Sequence, residues 1–199
     1  MIRIVALGDS TTAGTPGWLS PIESPPAGRG DEKSQYAYWL MKAHPEWEVL
    51  NRGVNGERSD QIAARFDRDV LTAAPRAVVI IAGVNDIYQG RPASHVIDQL
   101  RGMYGRAGAA GVALLAGTIL PYNTASPDQN ARMREVNDWI AGAGVPWVDT
   151  RAAAADPRDP DRLASSTDDL HPSAEGYRRM AEAIGPALEA LLRRGFRLR

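Results

Sequence analysis

The sequence predicts an α/β fold in which helices cover both faces of a parallel β-sheet. Five short apolar runs are spaced along the chain, and several are apolar throughout rather than alternating with polar residues. This pattern is typical of strands that are buried on both faces of a sheet. Stretches with helical spacing lie between the runs, and the connections are long enough for right-handed crossovers between parallel strands. Strand and helix therefore alternate, as in a sheet between two helical layers.

The apolar runs and the stretches between them give the predicted elements in order. The predicted strands are residues 2–7, 47–50, 77–82, 112–116 and 145–148. Ser34 is a candidate N-cap of the first predicted helix, which should end at His44 and Pro45. The later helices are predicted at residues 59–71, 92–109, 128–141 and 173–192, with Pro92 in a first turn.

Two irregular segments interrupt this alternation. Residues 15–30 contain four prolines and three glycines, and residues 152–167 include an Asp-Pro-Arg-Asp-Pro run. Both are longer than ordinary connections between strands and helices, and long loops in compact domains are often functional. The alternative is that each segment is a surface insertion.

The length and composition of the chain exclude several classes of protein. A length of 199 residues predicts one domain, residues 1–199, and the net charge of −1 lacks the basic footprint of a nucleic-acid-binding protein. The absence of cysteine excludes disulfides, thiol catalysis and thiolate metal sites. No run reaches the roughly 18 apolar residues of a membrane span, and residues 1–8 lack the features of a signal peptide. We therefore expect a cytoplasmic protein without integral membrane contact.

The basic residues 193–199 could contact an anionic surface, but we interpret them as a solvated helix end followed by a tail.

Small and polar residues follow the predicted strands. Gly8-Asp9-Ser10 follows the first, residues 51–56 the second, residues 83–86 the third and residues 117–121 the fourth. Ligands of open α/β sheets bind outside the carboxyl ends of the strands. These residues therefore predict a functional site at that edge of the sheet.

One of the three histidines stands in a context that suits catalysis. His44 and His95 are most simply surface residues, whereas His171 follows Asp168 by three positions, just before the last predicted helix. A carboxylate bonded to one ring nitrogen fixes the tautomer and leaves the other nitrogen free as a base. The alternative is that Asp168 or Asp169 only begins the helix.

Ser10 is a candidate nucleophile at a junction between strand and helix. A serine hydroxyl is a poor nucleophile until a base takes its proton, which an oriented histidine can do. The backbone N–H of Gly56 and the side-chain amide of Asn85 are candidate donors to an oxyanion. Ser10 and Asn85 could instead cap helices, and Gly56 could serve a turn. The Gly-x-Ser-x-Gly elbow and the dinucleotide fingerprint are both absent from this region.

Four motifs resemble, in order and spacing, those of the SGNH (GDSL-type) esterases and lipases. They are Gly8-Asp9-Ser10, Asn51-x-Gly53-x-x-Gly56, Gly83-x-Asn85-Asp86 and Asp168-x-x-His171-Pro172. The resemblance implies a flavodoxin-like α/β/α sandwich with five parallel strands and a metal-independent serine ester hydrolase that needs no cofactor. It implies Ser10 as nucleophile, His171 as base and Asp168 as the acid that orients His171. The implied oxyanion hole consists of the backbone N–H groups of Ser10 and Gly56 and the side chain of Asn85.

Two departures from the family pattern bear on the substrate. The first motif continues with Thr11 instead of leucine, and residues 15–30 form an insertion directly after it. The insertion could form a wall or lid with Trp18, Leu19 and Ile22. We expect a small-molecule ester with a short acyl chain, such as acetyl or butyryl. Carbohydrate acetyl esters, aryl esters, acyl thioesters and lysophospholipids all stay open, because a fold does not fix a substrate.

Two other functions fit parts of the pattern. A metal-dependent phosphoesterase would use Asp9, Asp86, Asp168 and His171 as ligands at the same sheet edge. A non-catalytic binding module would keep the fold without turnover. A chelator separates the first from a serine esterase, and covalent labelling of Ser10 by a fluorophosphonate separates the second.

Overall fold

A computed structural model describes residues 1–196, so residues 197–199, the end of the predicted tail, lie outside the described residues. The strands in this range are β1 (Ile2–Gly8), β2 (Trp18–Leu19), β3 (Arg29–Gly30), β4 (Trp47–Gly53), β5 (Ala77–Ile81), β6 (Ala113–Gly117), β7 (Trp147–Val148), β8 (Ala155–Asp156) and β9 (Asp159–Leu163). The α-helices are α1 (Ser10–Ala13), α2 (Tyr36–Ala43), α3 (Ser59–Ala64), α4 (Val84–Tyr88), α5 (Ala93–Ala109), α6 (Pro127–Gly142), α7 (Thr150–Ala154) and α8 (Ala174–Phe196).

Five parallel strands form the central sheet, in the order β4-β1-β5-β6-β7. The chain starts in β1, moves to the edge strand β4, and then crosses back over β1 to build the other half. The direction of winding therefore reverses between β1 and β5. Such a switch point leaves a crevice at the carboxyl ends of the two strands, where ligands bind in folds of this type.

Helices cover the sheet on both faces, as predicted. Alternate residues of β1 point to opposite faces: Val5 and Leu7 pack with α3, α5 and α6, whereas Ile4 and Ala6 pack with α2 and α8. All four side chains are fully buried. The protein is thus a three-layer α/β/α sandwich with one apolar core on each side of the sheet.

The strands differ from the prediction mainly at the carboxyl end of β4. This strand continues three residues beyond the predicted end at position 50, and Gly53 pairs with Gly8. The extension contains the polar Asn51, whose amide donates to the carbonyl of Ala13 at 2.9 Å and to the side chain of Gln35 at 2.7 Å. These buried partners stabilise a polar residue in the strand, which an apolar pattern does not reveal. At β7 the prediction is too long by two residues.

Three details of the predicted helices are wrong. Ser34 ends a 3₁₀ turn, Glu32–Ser34, that Asp31 caps, so α2 begins later and follows Gln35. The predicted helix 59–71 ends as an α-helix at residue 64 and is followed by a π-helical turn, Asp67–Leu71. Pro92 occupies the N-cap position of α5 rather than its first turn. Apolar spacing marks the buried face of such segments but does not fix where the backbone changes its hydrogen-bond pattern.

The two irregular segments each contain a small antiparallel sheet. In residues 15–30, β2 pairs with β3. In residues 152–167, β8 pairs with β9 after the end of α7. Within the part of the chain that the structure describes, every helix is too short or too polar to cross a lipid bilayer.

Candidate active site

Ser10 begins α1 directly after β1 ends. The side chain of Asp9 caps this helix by accepting hydrogen bonds from the N–H and the hydroxyl of Thr11, at 2.9 and 2.8 Å. Gly8 permits the tight passage from strand to helix, because a Cβ at this position would overlap Thr12 and the carbonyl of Ile81. Local sequence therefore fixes the Ser10 hydroxyl at the carboxyl edge of the sheet.

Ser10, His171 and Asp168 form a chain of hydrogen bonds. His171 Nε2 lies 2.9 Å from Ser10 Oγ, and His171 Nδ1 lies 2.7 Å from Asp168 Oδ2. A carboxylate only accepts, so in the neutral ring Nδ1 carries the proton toward Asp168. Nε2 is then free to accept the hydrogen of the Ser10 hydroxyl.

The backbone holds Asp168 in its charged form. Its Oδ1 accepts hydrogen bonds from the N–H groups of Leu170 and His171, at 3.0 and 2.8 Å. Burial opposes ionisation of Asp168, but the hydrogen bonds from the His171 ring and these N–H groups outweigh it and lower its pKa to about 2. The carboxylate is therefore ionised at neutral pH and able to orient the ring.

Asp9 has the opposite electrostatic environment. The residue is 1% exposed, and its Oδ2 has no hydrogen-bond partner among residues 1–196. Burial raises the pKa of Asp9 to about 6, although the hydrogen bonds from Thr11 act against this shift. Asp9 thus caps the helix that begins with Ser10, while one of its carboxyl oxygens stays buried without a hydrogen-bond partner.

Gly56 and Asn85 approach the same cleft from two other strands. Gly56 lies in the loop after β4 with φ of +74°, a conformation that favours glycine. Asn85 lies in α4, after β5, and its Nδ2 donates to the carbonyl of Glu57 at 2.9 Å. An amide NH₂ group has two hydrogens, so one is left for a ligand.

A cleft of about 260 Å³ brings together Ser10, Gly56, Asn85 and His171. Asp168 lies behind His171 and holds it from the other side of the ring. Sequence reasoning missed the apolar and aromatic walls of the cleft, which come from Val84, Tyr88, Tyr122 and Leu170. Three of these four residues lie within three positions of Asn85 or His171 in the sequence. Their proximity to the motifs is the sequence signal that could have identified them.

Trp18, Leu19 and Ile22 do not line the cleft around Ser10. From residues 15–30, the described lining of the cleft includes Thr15 but none of these three side chains, contrary to the expectation. Trp18 is 7% exposed and packs against Gly28, where a Cβ would overlap its indole ring. The hairpin therefore buries its large aromatic side chain within its own segment instead of extending it over Ser10.

The four candidate metal ligands are not gathered into one site. Both carboxylate oxygens of Asp86 accept hydrogen bonds from Ser59, at 2.7 and 2.9 Å. In residues 1–196, the one group of acidic and histidine side chains close enough to share an ion is Asp60, Asp86 and His95. Asp60 in turn pairs with Arg58 at 3.0 Å. The geometry thus does not support the predicted phosphoesterase site.

The family model for GDSL-like lipases and acylhydrolases matches residues 6–179. The chain belongs to the GDSL-like lipase/acylhydrolase family. The matched range contains all four sequence motifs, from the Gly8-Asp9-Ser10 turn to His171. Membership in this family was therefore predicted correctly from the motifs. Among curated proteins, no sequence matches this GDSL-like chain significantly.

Solved structures share the fold of this GDSL-like protein. A lipolytic protein of the G-D-S-L family from Desulfitobacterium hafniense is 23% identical, with a TM-score of 0.77 over 94% of this chain and 99% of that chain. A lipase/acylhydrolase from Enterococcus faecalis is 21% identical, with a TM-score of 0.74 over 96% of each chain. An acetylxylan esterase from Geobacillus stearothermophilus is 20% identical, with a TM-score of 0.69 over 96% of this chain and 94% of that chain. These similarities confirm the predicted fold class.

Proposed function

We propose that this GDSL-like protein is a serine hydrolase of short-chain acyl esters. The observation that carries the proposal is the chain of hydrogen bonds from Asp168 through His171 to the hydroxyl of Ser10. The hydroxyl lies in a cleft that also contains candidate oxyanion donors. A nucleophile, an oriented base and such donors are together the requirements of acyl transfer.

The reaction follows from these positions. Ser10 Oγ attacks the ester carbonyl carbon while its proton moves to His171 Nε2. The backbone N–H groups of Ser10 and Gly56 and the amide of Asn85 stabilise the negative charge on the carbonyl oxygen. The C–O bond to the alcohol then breaks, and His171 returns the proton to the leaving oxygen.

Water completes the cycle on the acyl-enzyme. His171 takes a proton from the water molecule as its oxygen attacks the acyl carbon, and then returns this proton to Ser10 Oγ. The carboxylic acid leaves, and the free enzyme is restored. Asp168 keeps its charge throughout and stabilises the imidazolium that forms in each half of the reaction.

The cleft supports a short acyl group. Its volume of about 260 Å³ and its walls from Tyr122 and Leu170 suit an acetyl to butyryl chain better than a long one.

Removal of the nucleophile tests the proposal. Ser10→Ala should lower kcat on p-nitrophenyl acetate by at least about 10³-fold. Ser94→Ala is the matched control, because Ser94 is an exposed serine of α5 and should leave kcat unchanged. A fluorophosphonate should label the wild type at Ser10, and a chelator should leave turnover intact. Near-normal activity of Ser10→Ala, or an unlabelled wild type, would overturn the assignment.

A further inference from the structure

Asp86 is a residue of the third motif to which the proposed mechanism assigns no role. It follows Asn85 in α4 and is completely buried. Its Oδ2 accepts the N–H of Ser59 at 2.7 Å, and its Oδ1 accepts the hydroxyl of Ser59 at 2.9 Å. Both oxygens of the carboxylate thus bind one residue, and that residue begins α3.

Ser59 closes the loop that carries Gly56. At the other end of this loop, the N–H of Val54 donates to the carbonyl of Gly8 at 3.2 Å. Between the two ends, Asn85 Nδ2 donates to the carbonyl of Glu57 at 2.9 Å. The anchors on Glu57 and Ser59 come from adjacent residues of α4, so this helix holds both the middle and the end of the loop.

Gly56 itself is not held by packing, although its neighbour Asn55 is held by Thr15 and by Glu23, whose Oε1 accepts the Asn55 N–H at 2.8 Å. Gly56 is exposed, and a Cβ placed on it would meet no described atom within 4 Å. Its position therefore depends on the anchors of the loop rather than on packing. We propose that Asp86 is a positioning residue of the oxyanion hole, which fixes the N–H of Gly56 relative to the amide of Asn85 by holding Ser59. The inference rests on the proposed function, because it assumes that Gly56 and Asn85 bind the oxyanion.

A carboxylate is an effective anchor at this place. Charge-assisted hydrogen bonds are shorter and stronger than neutral ones, and the 2.7 Å bond to the Ser59 N–H is of this kind. Burial raises the pKa of Asp86, while the hydrogen bonds from Ser59 favour the charged form. A further anchor acts on the same loop, since the buried Arg65 binds Glu57 at 2.6 Å and the carbonyl of Gly8 at 2.8 Å. Without Asp86 the loop should therefore stay folded, but the N–H of Gly56 should shift relative to the amide of Asn85.

Substitution of Asp86 should affect turnover more than substrate binding. We expect Asp86→Ala to lower kcat on p-nitrophenyl acetate by about 10- to 100-fold, because a displacement of about 1 Å in a reacting site has effects of that order. KM should change by less than about 3-fold, since no acyl-binding wall is altered. Asp86→Asn should recover at least about half of the lost log kcat. Its side-chain oxygen can accept the N–H of Ser59, and its NH₂ group can donate to the Ser59 hydroxyl. Asp98→Ala, at an exposed carboxylate of α5, is the control and should match the wild type.

A double-mutant cycle separates positioning from general stability. Asn85→Ala alone should cost on the order of 10²–10³ in kcat. If Asp86 acts through the oxyanion hole, adding Asp86→Ala to Asn85→Ala should lower kcat by clearly less than Asp86→Ala does alone. Multiplicative losses in the cycle would overturn the inference. An Asp86→Ala variant with a lower urea midpoint but the wild-type kcat would also overturn it, because that is the result expected of a purely structural role.

A milder variant keeps the test decisive if Asp86→Ala does not fold. Ser59→Ala removes the hydroxyl bond and keeps the bond from the backbone N–H, so we expect a loss of only a few-fold in kcat. A cycle of Ser59→Ala with Asn85→Ala should again be less than multiplicative. Labelling of wild-type Ser10 tests the proposed function separately. If the fluorophosphonate labels Ser10 but the losses in the cycle multiply, only the role of Asp86 is overturned. If Ser10 is not labelled, the proposed function itself is overturned.

Discussion

Asp9 and Asp168 are both acidic residues of the candidate site, but their surroundings shift their pKa values in opposite directions. Burial with one oxygen unpartnered raises the pKa of Asp9 to about 6. Hydrogen bonds from His171 and from the backbone outweigh burial at Asp168 and lower its pKa to about 2. Two carboxyls of one candidate site can thus serve different purposes, one as a helix cap and one as a charged partner of the base.

The charge of Asp168 should matter for catalysis. Asp168→Asn should lower kcat on p-nitrophenyl acetate by on the order of 10²–10⁴, because an amide no longer selects the tautomer that leaves Nε2 free. Asp169→Asn is the matched control, since Asp169 is exposed and asparagine tolerates its φ of +62°. Equal kcat values for the two variants would contradict an orienting role for Asp168.

The buried carboxyl of Asp9 should make stability depend on pH. The folded state binds this proton more tightly than the unfolded chain does, because the pKa of Asp9 is raised. The free energy of unfolding should therefore fall as pH rises from about 4 to about 6, by at most about 3 kcal/mol, and then level off. Asp9→Asn should lack this contribution, so urea titrations should show the variant gaining stability relative to the wild type across that window. Parallel stability curves from pH 4 to pH 6 would contradict the buried, proton-binding state of Asp9.

Single residues also show how far sequence reasoning extended. The motifs led to Ser10, Asp168 and His171, and the structure places the His171 ring within hydrogen-bond distance of each of the other two. Trp18, Leu19 and Ile22 are large apolar residues that follow the first motif, which is why a wall or lid was expected from them. Their side-chain directions depend on the β2–β3 hairpin, which a segment rich in proline and glycine does not reveal.

At the scale of elements, short helices were the hardest to predict. α1 and α4 have four and five residues, too few to show a helical period, although they carry Ser10 and Asn85. Their positions depend on the strands before them and on glycine turns. The long helices α5, α6 and α8 were predicted within two residues at their starts, because each buries an apolar stripe over several turns.

Two glycines of different elements should respond oppositely to alanine. Gly102 lies in α5 with open space around it, so Gly102→Ala should raise the free energy of unfolding by about 0.5–1 kcal/mol through helix propensity. Gly53 ends β4, and a Cβ there would overlap the backbone of Ala13 in the helix that begins with Ser10. Gly53→Ala should therefore lower stability and also reduce kcat.

Chemical denaturation and esterase assays on both variants check this pair. Gly102→Ala should keep the wild-type kcat, since α5 contributes no residue to the described lining of the cleft. A stable and fully active Gly53→Ala would show that the close approach of β4 to α1 is not needed to place Ser10.

At the scale of the whole molecule, the sheet gathers motifs that are far apart in sequence. Parallel strands end at the same edge, so the residues after β1, β4 and β5 meet there. Apolar runs alternating with helical stretches predicted the fold class, and this rule then predicted the edge at which the site should lie. The volume and walls of the cleft could not be predicted, because they depend on how Tyr88 at the end of α4 packs edge to face against Tyr122 in the loop after β6, with ring centroids 5.7 Å apart.

The size of the cleft predicts a preference for acyl length. In a series of p-nitrophenyl esters, kcat/KM should be highest for two to four carbons and should fall by about 10-fold or more at eight or more, because a longer chain leaves the apolar walls. Tyr88→Ala should shift the preference toward longer chains, since Tyr88 is 55% exposed and its removal opens the rim without disturbing the core. A maximum at long chains in the wild type would instead favour a lysophospholipase or long-chain thioesterase.

The Ser10 hydroxyl and the His171 ring are 161 positions apart in the chain, yet they lie 2.9 Å from each other. During synthesis the nucleophile therefore leaves the ribosome long before the base does. Under the proposed function, a nascent or truncated chain that stops before His171 is inert, and hydrolysis begins only after residue 171 has left the exit tunnel. The onset of ester cleavage would then report, in real time, the emergence and folding of the segment that carries the base.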